Sequence, residues 1–384
     1  MKHIKRAFAK IISGFIREPK TKKSVYQFIA EYSIFDILQI KKFINTPIKP
    51  NSVLLVETNA CHGEVISAYF KYFKDMGFNV DLIMHDVIYN ENHFTRHDIS
   101  DINIFHSHTS AMHKMFRCQK MQQYKNIVIM TPVNYTFDIQ SVFEMFPELK
   151  EFQNTYLIAH NLRDIKNYYQ SFNQNHILGC TRHLGQYPNM NPILFGKLHK
   201  NNKKHHPTTF ISVGGINAKR KNHKQLISII KDLDDKKLDF KVIIVGGGDK
   251  IKIESPQIAK HLVLTGRQIG EKMFQYMEQS DFFLTLWDKN NPVHNKYKTD
   301  QASGSIQLIL GFNKIPILQK EFADFYDCTD KNAIIYTDNN LASAMEFAIQ
   351  MNDAQYTKIY NGLDKLSQDV YTESKNNLKH ILEQ

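Results

Sequence analysis

The chain has 384 residues, more than a single hydrophobic core usually contains, so we expect two domains and a shorter additional segment. Its 42% hydrophobic and 23% charged residues exclude bulk disorder, and no apolar run approaches the roughly 18 residues that a membrane-spanning helix needs. Four widely spaced cysteines without a CxxC pair indicate neither a disulfide framework nor a thiolate zinc site. Because the first residues also lack the apolar core of a signal peptide, we predict a cytoplasmic protein.

The net charge of +11 is concentrated near the N-terminus. Residues 1–50 contain eleven Lys or Arg and three acidic residues, which gives +8 for this segment. Apolar residues recur there at helical spacing between the cations, so we predict a basic amphipathic helical arm over residues 1–48. Such a helix either lies on the surface of an anionic bilayer or packs on its own domain with solvated lysines. We expect no nucleic-acid partner, because no module that combines aromatic and basic residues follows.

Beyond the arm, strand-like apolar runs alternate with helical segments, which is typical of a parallel sheet covered by helices on both faces. The first series contains a helix from about Val65 to Met76 and ends in a linker from Asn191 to Pro207, which has no apolar periodicity. The strands predicted in this series are SVLLVE, NVDLIMH, INIFHSH, NIVIMTP, TYLIAHN and HILGCTR.

A second series of the same kind follows the linker. Two such arrays predict two Rossmann-like domains, residues 49–196 and 207–365, with a ligand site in the cleft at the carboxyl ends of the strands. We predict helical structure from about Leu341, with a break at Gly362 before a last helix over 366–384. The strands predicted here are TFISVGG, FKVIIVGGG, HLVLTGR, DFFLTLW, KIPILQ and AIIYT, and the helices between them include Asn222–Asp234, Glu271–Gln279 and Gln301–Gly311.

The beginning of the second series has the composition of an anion site. A strand ends in two glycines, three cations follow, and a helix begins near Asn222, so amides and positive side chains can converge on a diphosphate. The alternative is a glycine-containing turn followed by a solvated basic loop, and the sequence contains no GxxxxGK(S/T) motif. The candidate residues are Gly214, Gly215, Lys219, Arg220 and Lys221, together with Gly246 from VIIVGGGDK, which lacks the complete GxGxxG spacing.

A second candidate anion site precedes the apolar helix predicted at Gln301–Gly311. Small residues at the start of that helix expose amides to phosphate oxygens, and Asp300 can accept hydrogen bonds from sugar or ribose hydroxyls. The alternative is a simple capped helix. The candidate residues of this segment are Tyr297, Thr299, Asp300, Ser303, Gly304 and Ser305.

These segments resemble the glycosyltransferases of the GT-B fold, in particular the family 4-like bacterial group that builds lipopolysaccharide and capsule. The resemblance covers about residues 207–340 and, more weakly, 50–195. It rests on the strand that ends in glycine before the basic segment Lys219–Asn222 and on the strand that ends in VGGG. It rests further on LVLTGRQIGEKMFQYMEQSDFFLTLW and on SGSIQLILGFNKIPIL, which is similar to the family's nucleotide-binding helix and the proline-containing strand after it.

The resemblance implies two Rossmann-like domains facing across a cleft, with an N-terminal helical arm and C-terminal helices. It implies transfer of a hexosyl group from a nucleotide sugar, such as a UDP- or GDP-sugar, to a glycan or lipid-linked acceptor. The three cations would neutralise the diphosphate and the Ser-Gly-Ser segment would bind it, without a metal or another cofactor. The family commonly has two glutamates seven residues apart before and in this helix, whereas the positions near them are here Asp300 and Gln307–Ile309, with no second carboxylate.

In the first series, the resemblance points to residues that follow predicted strands. Either His106 or His108 resembles the family's active-site histidine, which contacts the transferred sugar or acts as general base in an inverting enzyme. The alternative is a solvated or hydrogen-bonded loop histidine, and no metal is expected because no third ligand can be assigned beside this pair. The candidate residues on the acceptor side are Asn59, His62, Gly63 and Glu64, in the loop where the family has a glycine-rich acceptor loop, and Asn134, which is chosen only because it follows a predicted strand.

The leading hypothesis is therefore a metal-independent glycosyltransferase, bound through its arm to the cytoplasmic face of the inner membrane. Two alternatives use the same architecture: a sugar-nucleotide epimerase and a non-catalytic binding or scaffold protein. A nicotinamide oxidoreductase is disfavoured, because neither series carries a complete glycine fingerprint with an acidic ribose partner.

Overall fold

The computed structural model describes residues 33–134, 139–152, 154–199, 202–217, 221–253, 255–338 and 340–383. Most of the predicted arm and the candidate residues Lys219 and Arg220 lie outside these ranges. The chain divides into two compact units. The first contains the residues up to Gly63 with Tyr72–Asn90 and Ile99–Leu157, and the second contains Glu64–Lys71, Glu91–Asp98 and Ile158–Gln384. The domain limits given above stay predictions.

The first series forms a parallel sheet around a fully buried strand. The strands are, in chain order, β1 Ser52–Glu57, β2 Asn79–His85, β3 Asn103–Ser107, β4 Asn126–Ile129, β5 Val133–Asn134, β6 Gln140–Ser141, β7 Thr155–Ala159 and β8 Ile177–Gly179. Six of them form the sheet in the order β3-β2-β1-β4-β7-β8, while β5 and β6 pair antiparallel. All six residues of β1 are buried, because the strand is covered on both faces. It pairs in parallel with β2 and with β4.

The helices of this series are α1 Ile34–Asn45, α2 Gly63–Asp75, α3 Asp86–Glu91, α4 Thr109–Phe116, α5 Val142–Met145 and α6 Leu162–Tyr168. Helix α1 begins with a capping box, in which Ser33 and Asp36 exchange side-chain and backbone hydrogen bonds. The Asp36 carboxylate also accepts a hydrogen bond of 2.6 Å from Ser107 Oγ, and Phe43 packs edge-on against Phe105 of β3. The part of the predicted arm that forms α1 is therefore packed on the first sheet.

The second series repeats the topology of the first. Its strands are β9 Thr208–Val213, β10 Phe240–Val245, β11 Leu262–Gly266, β12 Phe282–Leu284, β13 Ile315–Gln319 and β14 Ile334–Tyr336. They form a sheet in the order β11-β10-β9-β12-β13-β14, with β9 paired in parallel to β10 and β12. In each sheet the strand order reverses beside the first strand, which creates a crevice at the carboxyl ends of β1 and β4 and of β9 and β12.

The helices of the second series are α7 His223–Asp235, α8 Pro256–Ala259, α9 Gly270–Glu278, α10 Gly304–Phe312, α11 Lys320–Ala323, α12 Leu341–Gln350 and α13 Asp353–Glu383. They cover both faces of the sheet, since successive strand residues belong to different apolar clusters. Phe210 packs in the cluster that contains residues of α7 and α12, and Ile211 packs in the cluster that contains residues of α9 and α10.

The predicted helix break at Gly362 is wrong. The helical structure is interrupted earlier, between α12 and α13, and α13 continues through Gly362 without a break. A Cβ atom at Gly362 would lie 2.0 Å from the backbone oxygen of Lys331. The glycine therefore allows α13 to approach a loop closely, a requirement that the sequence alone does not reveal.

Candidate functional site

Three glycine-containing loops lie side by side at the carboxyl ends of β9, β10 and β11. The amide of Gly214 donates to the carbonyl of Val245, and the amide of Gly246 donates to the carbonyl of Gly266. A Cβ atom at Gly246 would lie 1.9 Å from the Gly214 oxygen, so this position needs glycine for packing. Gly214 has a φ of 126°, and both it and Gly215 are exposed. Their backbone is therefore exposed at this edge, and contact with a ligand stays a prediction.

Lys221 lies beneath this edge with its amine buried. The Nζ atom donates to Ser212 Oγ at 3.0 Å and lies 5.6 Å from the centroid of the Phe283 ring. Ser212 belongs to β9 and Phe283 to β12, so the amine occupies the point where the strand order reverses. Burial lowers the pKa of Lys221 to about 7. Contact of this amine with a diphosphate stays a prediction.

A cavity of about 690 Å³ adjoins the start of α7, within the usual range for small-molecule sites. Four lysines and two aspartates contribute to its walls, which leaves an excess of positive charge. Asn222 caps α7 by accepting a hydrogen bond from the amide of Gln225, as the sequence predicts. The lining residues are Ile216, Lys221, Asn222, His223, Lys224, Ile227, Asp249, Lys250, Ile251, Lys252, Ile258, Asp288 and Asn291.

The Ser-Gly-Ser segment forms the N-terminus of α10, so the predicted helix start is correct to within three residues. Ser303 is the N-cap, and its hydroxyl accepts a hydrogen bond from the amide of Ser305. Gly304 is exposed at the first position of the helix. The capped-helix alternative is thus part of the structure, and the segment does not line the cavity beside Lys221. Because α10 follows β12 and leads into β13, its N-terminus lies at the carboxyl edge of the sheet.

The loop before α10 contains the other candidate residues of the second unit. Tyr297 stacks on Trp287 at 5.4 Å between ring centroids, and its carbonyl accepts a hydrogen bond from the Tyr326 hydroxyl. Thr299 donates to the Asp300 carboxylate at 3.1 Å, and the Asp300 carbonyl accepts from the amide of Leu162 at 2.8 Å. Tyr297 therefore has a packing role in the described structure, whereas Asp300 keeps its carboxylate near the start of α10.

A second carboxyl group lies near Asp300, although the sequence has none at the position where the family has its second glutamate. Burial, followed by the charge of Asp300, raises the pKa of Asp164 to about 6. Gln307, near the position of the missing glutamate, is buried and donates to the Cys180 carbonyl at 3.3 Å. Asp164 is distant in sequence from both residues, so no local pattern indicates it.

In the first unit, β1 ends in a fully buried carboxyl group that we did not single out from the sequence. Glu57 accepts hydrogen bonds from Thr131 Oγ1 at 2.6 Å and from the amide of Asn59 at 2.9 Å. Burial raises the pKa of Glu57 to about 7. Asn59 is itself buried and donates to the Val133 carbonyl at 3.2 Å, so it supports this loop from inside.

The other candidates on the acceptor side occupy the start of α2 and the strand β5. His62 adopts a left-handed conformation with a φ of 67° directly before Gly63, the first residue of α2. Glu64 lies in the first turn of that helix, where a carboxylate is favourable. Asn134 is buried in β5, opposite Gln140. Their roles toward an acceptor stay predictions.

The two candidate catalytic histidines have different environments. His106 is stacked on Tyr89, with 3.5 Å between ring centroids, and packs against Phe35 at 5.0 Å. Burial, followed by the charge of Lys42, lowers the pKa of His106 to about 4. This imidazole is neutral and enclosed by rings, which fits a packing residue better than a general base.

His108 has an exposed side chain and a carboxylate beside it. Its Nε2 atom lies 3.3 Å from Asp86 Oδ2, and 60% of the side chain is accessible. Asp86 is also 3.0 Å from Nδ1 of His85, whose side chain is only 6% exposed. Burial lowers the pKa of His85. His85 ends β2 and His108 follows β3, so the pairing of these two strands brings the residues together.

Besides Asp164, the residues missed in the sequence are three at the ends of strands, namely His85, Asp86 and Glu57. A signal was present, because each of them ends a predicted strand or follows one directly. The carboxyl ends of neighbouring parallel strands lie at the same edge of a sheet. The order of the strands, which the sequence does not state, was needed to see which of these residues meet.

The described structure is similar to solved structures of glycosyltransferases. A glycosyltransferase from Rickettsia africae ESF-5 matches with a TM-score of 0.53 at 11% identity, over 87% of this chain and 98% of its own. AviGT4, a glycosyltransferase involved in avilamycin A biosynthesis, matches with a TM-score of 0.51 at 9% identity, over 86% of this chain and 97% of its own. The predicted fold class is confirmed: the chain has the GT-B fold, with two Rossmann-like parallel sheets.

Comparison by sequence identifies no relative, since no known family and no curated protein matches the chain. None of the helices in the described residues is both long enough and apolar enough to cross a bilayer.

Proposed function

We propose that the protein is a glycosyltransferase that moves a hexosyl group from a nucleotide-diphosphate sugar to a glycan or lipid-linked acceptor. The GT-B fold over nearly the whole chain supports this reaction class. The observation that carries the proposal is the placement of two helix N-termini, of α7 and α10, at the strand-order reversal of the second sheet. Helix N-termini at such a position favour a bound diphosphate.

In this proposal, protein groups rather than a metal stabilise the departing diphosphate. The exposed backbone at Gly215 and the N-terminus of α10 at Gly304 supply amides. Lys221 and the lysines of the adjacent cavity supply positive charge. Fixed donors aimed at developing negative charge can lower the barrier of a transfer reaction by several kcal/mol.

His108 and Asp86 are the groups of the first unit that we assign to the transferred sugar or to the acceptor hydroxyl. An exposed imidazole whose Nε2 lies 3.3 Å from a carboxylate has the arrangement of a general base, because the carboxylate orients the ring. In an inverting reaction this pair removes the proton of the acceptor hydroxyl; in a retaining reaction His108 only contacts the sugar.

We further propose a family 4-like enzyme of bacterial surface polysaccharide synthesis, of the lipopolysaccharide or capsule type. The basic segment at residues 1–50 supports a place on the cytoplasmic face of the inner membrane, where each cation near an anionic surface contributes on the order of 1 kcal/mol. A lipid-linked acceptor would be found on that surface.

The proposal is tested by thermal unfolding in the presence of UDP, GDP, CMP and their sugars, followed by turnover of the donor with membrane extract. We expect one nucleotide to raise Tm, since a ligand that binds only the folded state stabilises it. Lys221→Ala is expected to reduce the rise in Tm and to lower the turnover at least tenfold. Lys365→Ala, a change at an exposed position, should leave both unchanged. Stabilisation without turnover would indicate a binding protein, and turnover without acceptor an epimerase. If no nucleotide raises Tm, the donor site is refuted.

A further inference from the structure

Two histidines and an aspartate meet at the carboxyl ends of β2 and β3. One nitrogen of each imidazole and one oxygen of the carboxylate lie within 4.8 Å of one another, in His85, Asp86 and His108. His85 is buried, Asp86 is half-buried and His108 is exposed. We propose that these three side chains bind a divalent cation with the ligand preferences of Zn²⁺.

Two separations between ligand atoms are close to those of a tetrahedral site, and the two imidazole nitrogens lie within 4.8 Å of each other. Zinc bonds to imidazole nitrogen and carboxylate oxygen are about 2.0–2.2 Å long, which places neighbouring ligand atoms roughly 3.3–3.5 Å apart. Asp86 lies 3.3 Å from His108 Nε2 through Oδ2 and 3.0 Å from His85 Nδ1 through Oδ1. Because the His108 side chain is 60% exposed, its ring can turn to complete the site without a change in the core.

One oxygen of the carboxylate is buried without a donor. Asp86 Oδ1 has no hydrogen-bond partner among the described residues. His85 Nδ1 lies 3.0 Å from this oxygen and accepts a hydrogen bond of 3.3 Å from the amide of Val87, so lone pairs of both atoms face each other. An unsatisfied buried acceptor costs about 1–3 kcal/mol. A cation bound to both atoms replaces the weak contact with Val87 and removes this cost.

The residue types favour zinc over harder cations. Imidazole suits Zn²⁺ and other late transition ions, whereas Mg²⁺ and Ca²⁺ prefer oxygen ligands throughout. Two imidazoles and one carboxylate are a common three-residue set for Zn²⁺, with the fourth position left for water or substrate. The solvent-facing side of His108 provides that fourth position and the entry path.

The support around the ligands is rigid on two sides. His85 is fixed at the end of a buried strand, and Ser107, which precedes His108, donates to the Asp36 carboxylate of α1 at 2.6 Å. The proposed ion has no part in holding the diphosphate. It occupies the nitrogen through which His108 would accept a proton, so ion binding and proton transfer by His108 exclude one another.

The test is a zinc titration of the full chain after removal of metals with a chelator, with a competing chromophoric chelator as reporter. We expect one tight site with a Kd in the micromolar range or below. His85→Gln, Asp86→Asn and His108→Gln are each expected to weaken it at least tenfold. His183→Gln is the matched control. His183 is also an exposed histidine beside a carboxylate, 3.2 Å from Asp327, but it does not belong to the group of three possible ligands.

Two further measurements are needed, because any of the 18 histidines can bind zinc and because a change of the buried His85 can disturb the fold. His108→Gln changes an exposed side chain, so circular dichroism should show an unchanged fold with the site lost. Anomalous diffraction at the zinc edge should place the ion between the three residues. An unaltered affinity in His108→Gln, an ion found elsewhere, or no stoichiometric binding would overturn the proposal.

Discussion

A buried ionisable side chain occupies the strand-order reversal of each sheet. Glu57 is enclosed between β1 and the residues after β4, and Lys221 is enclosed between β9 and β12. Each has a hydroxyl partner, Thr131 for the carboxyl group and Ser212 for the amine. Burial is the largest cause of both pKa shifts and brings the two values to about 7, from opposite directions.

Glu57 gives the protein a pH-dependent stability of unusual sign. Between about pH 4.5 and 7 the folded state keeps a proton on Glu57 that the unfolded state has lost, so the free energy of unfolding falls as the pH rises through this window. Glu57→Gln cannot titrate, and its amide can still pair with Thr131, so the free energy of unfolding of this variant does not fall in the same window. We expect the variant to be more stable than the wild type above pH 7, by on the order of 2–3 kcal/mol.

The measurement is urea unfolding of both proteins from pH 5 to 8. The difference in free energy of unfolding should grow with pH and level off above 7. Glu151→Gln, at an exposed position of the first unit, should show no such trend. A difference that is constant over the range would show that Glu57 does not titrate there.

At the scale of elements, the structure shows where a helix must approach other backbone closely. Helix α13 spans 31 residues and passes over the loop around Lys331 at Gly362. A glycine in a helix costs about 1 kcal/mol relative to alanine, so a sequence argument favours a break there. Close packing compensates for this cost, because an alanine Cβ would lie 2.0 Å from a carbonyl oxygen.

Gly362→Ala is therefore expected to destabilise the protein, although alanine favours a helix. Displacing the loop or the helix should cost about 1–3 kcal/mol, more than the gain in propensity. Thermal unfolding measures the effect, with Asn361→Ala as control at the adjacent exposed position of the same helix. A Gly362→Ala variant with a raised Tm would contradict the close approach.

At the scale of the whole molecule, the sequence has an asymmetric charge distribution. The first 50 residues carry +8 of the net charge of +11. Within this segment, α1 is packed on the first sheet through Asp36 and Phe43. We propose that the cations that precede α1 are the ones that contact the anionic membrane surface.

Deletion of residues 1–20 is expected to lower binding to vesicles with anionic lipid, and salt should weaken the binding of the full chain because it screens surface charge. Sedimentation with vesicles measures both effects. A variant with Lys2, Lys5, Arg6 and Lys10 changed to Gln separates charge from apolar contact, and neutral vesicles are the control. Equal binding by the truncated chain would show that the arm does not carry the interaction.

The sequence by itself determined the fold class and most strands and helices of the two sheets. Strands such as β1, β9 and β10 and helices such as α2 and α7 were predicted because apolar periodicity and caps act over a few residues. The positions of Gly214–Gly215 and Ser303–Ser305, at a strand end and a helix start, were predicted for the same reason.

Only the tertiary structure decided what these residues touch. It buried the amine of Lys221 and the carboxyl group of Glu57, enclosed His106 between rings, and brought His85 and Asp86 to His108. These outcomes depend on the order of strands in each sheet and on burial. Both arise from contacts between residues far apart in the chain, so no local pattern contains them.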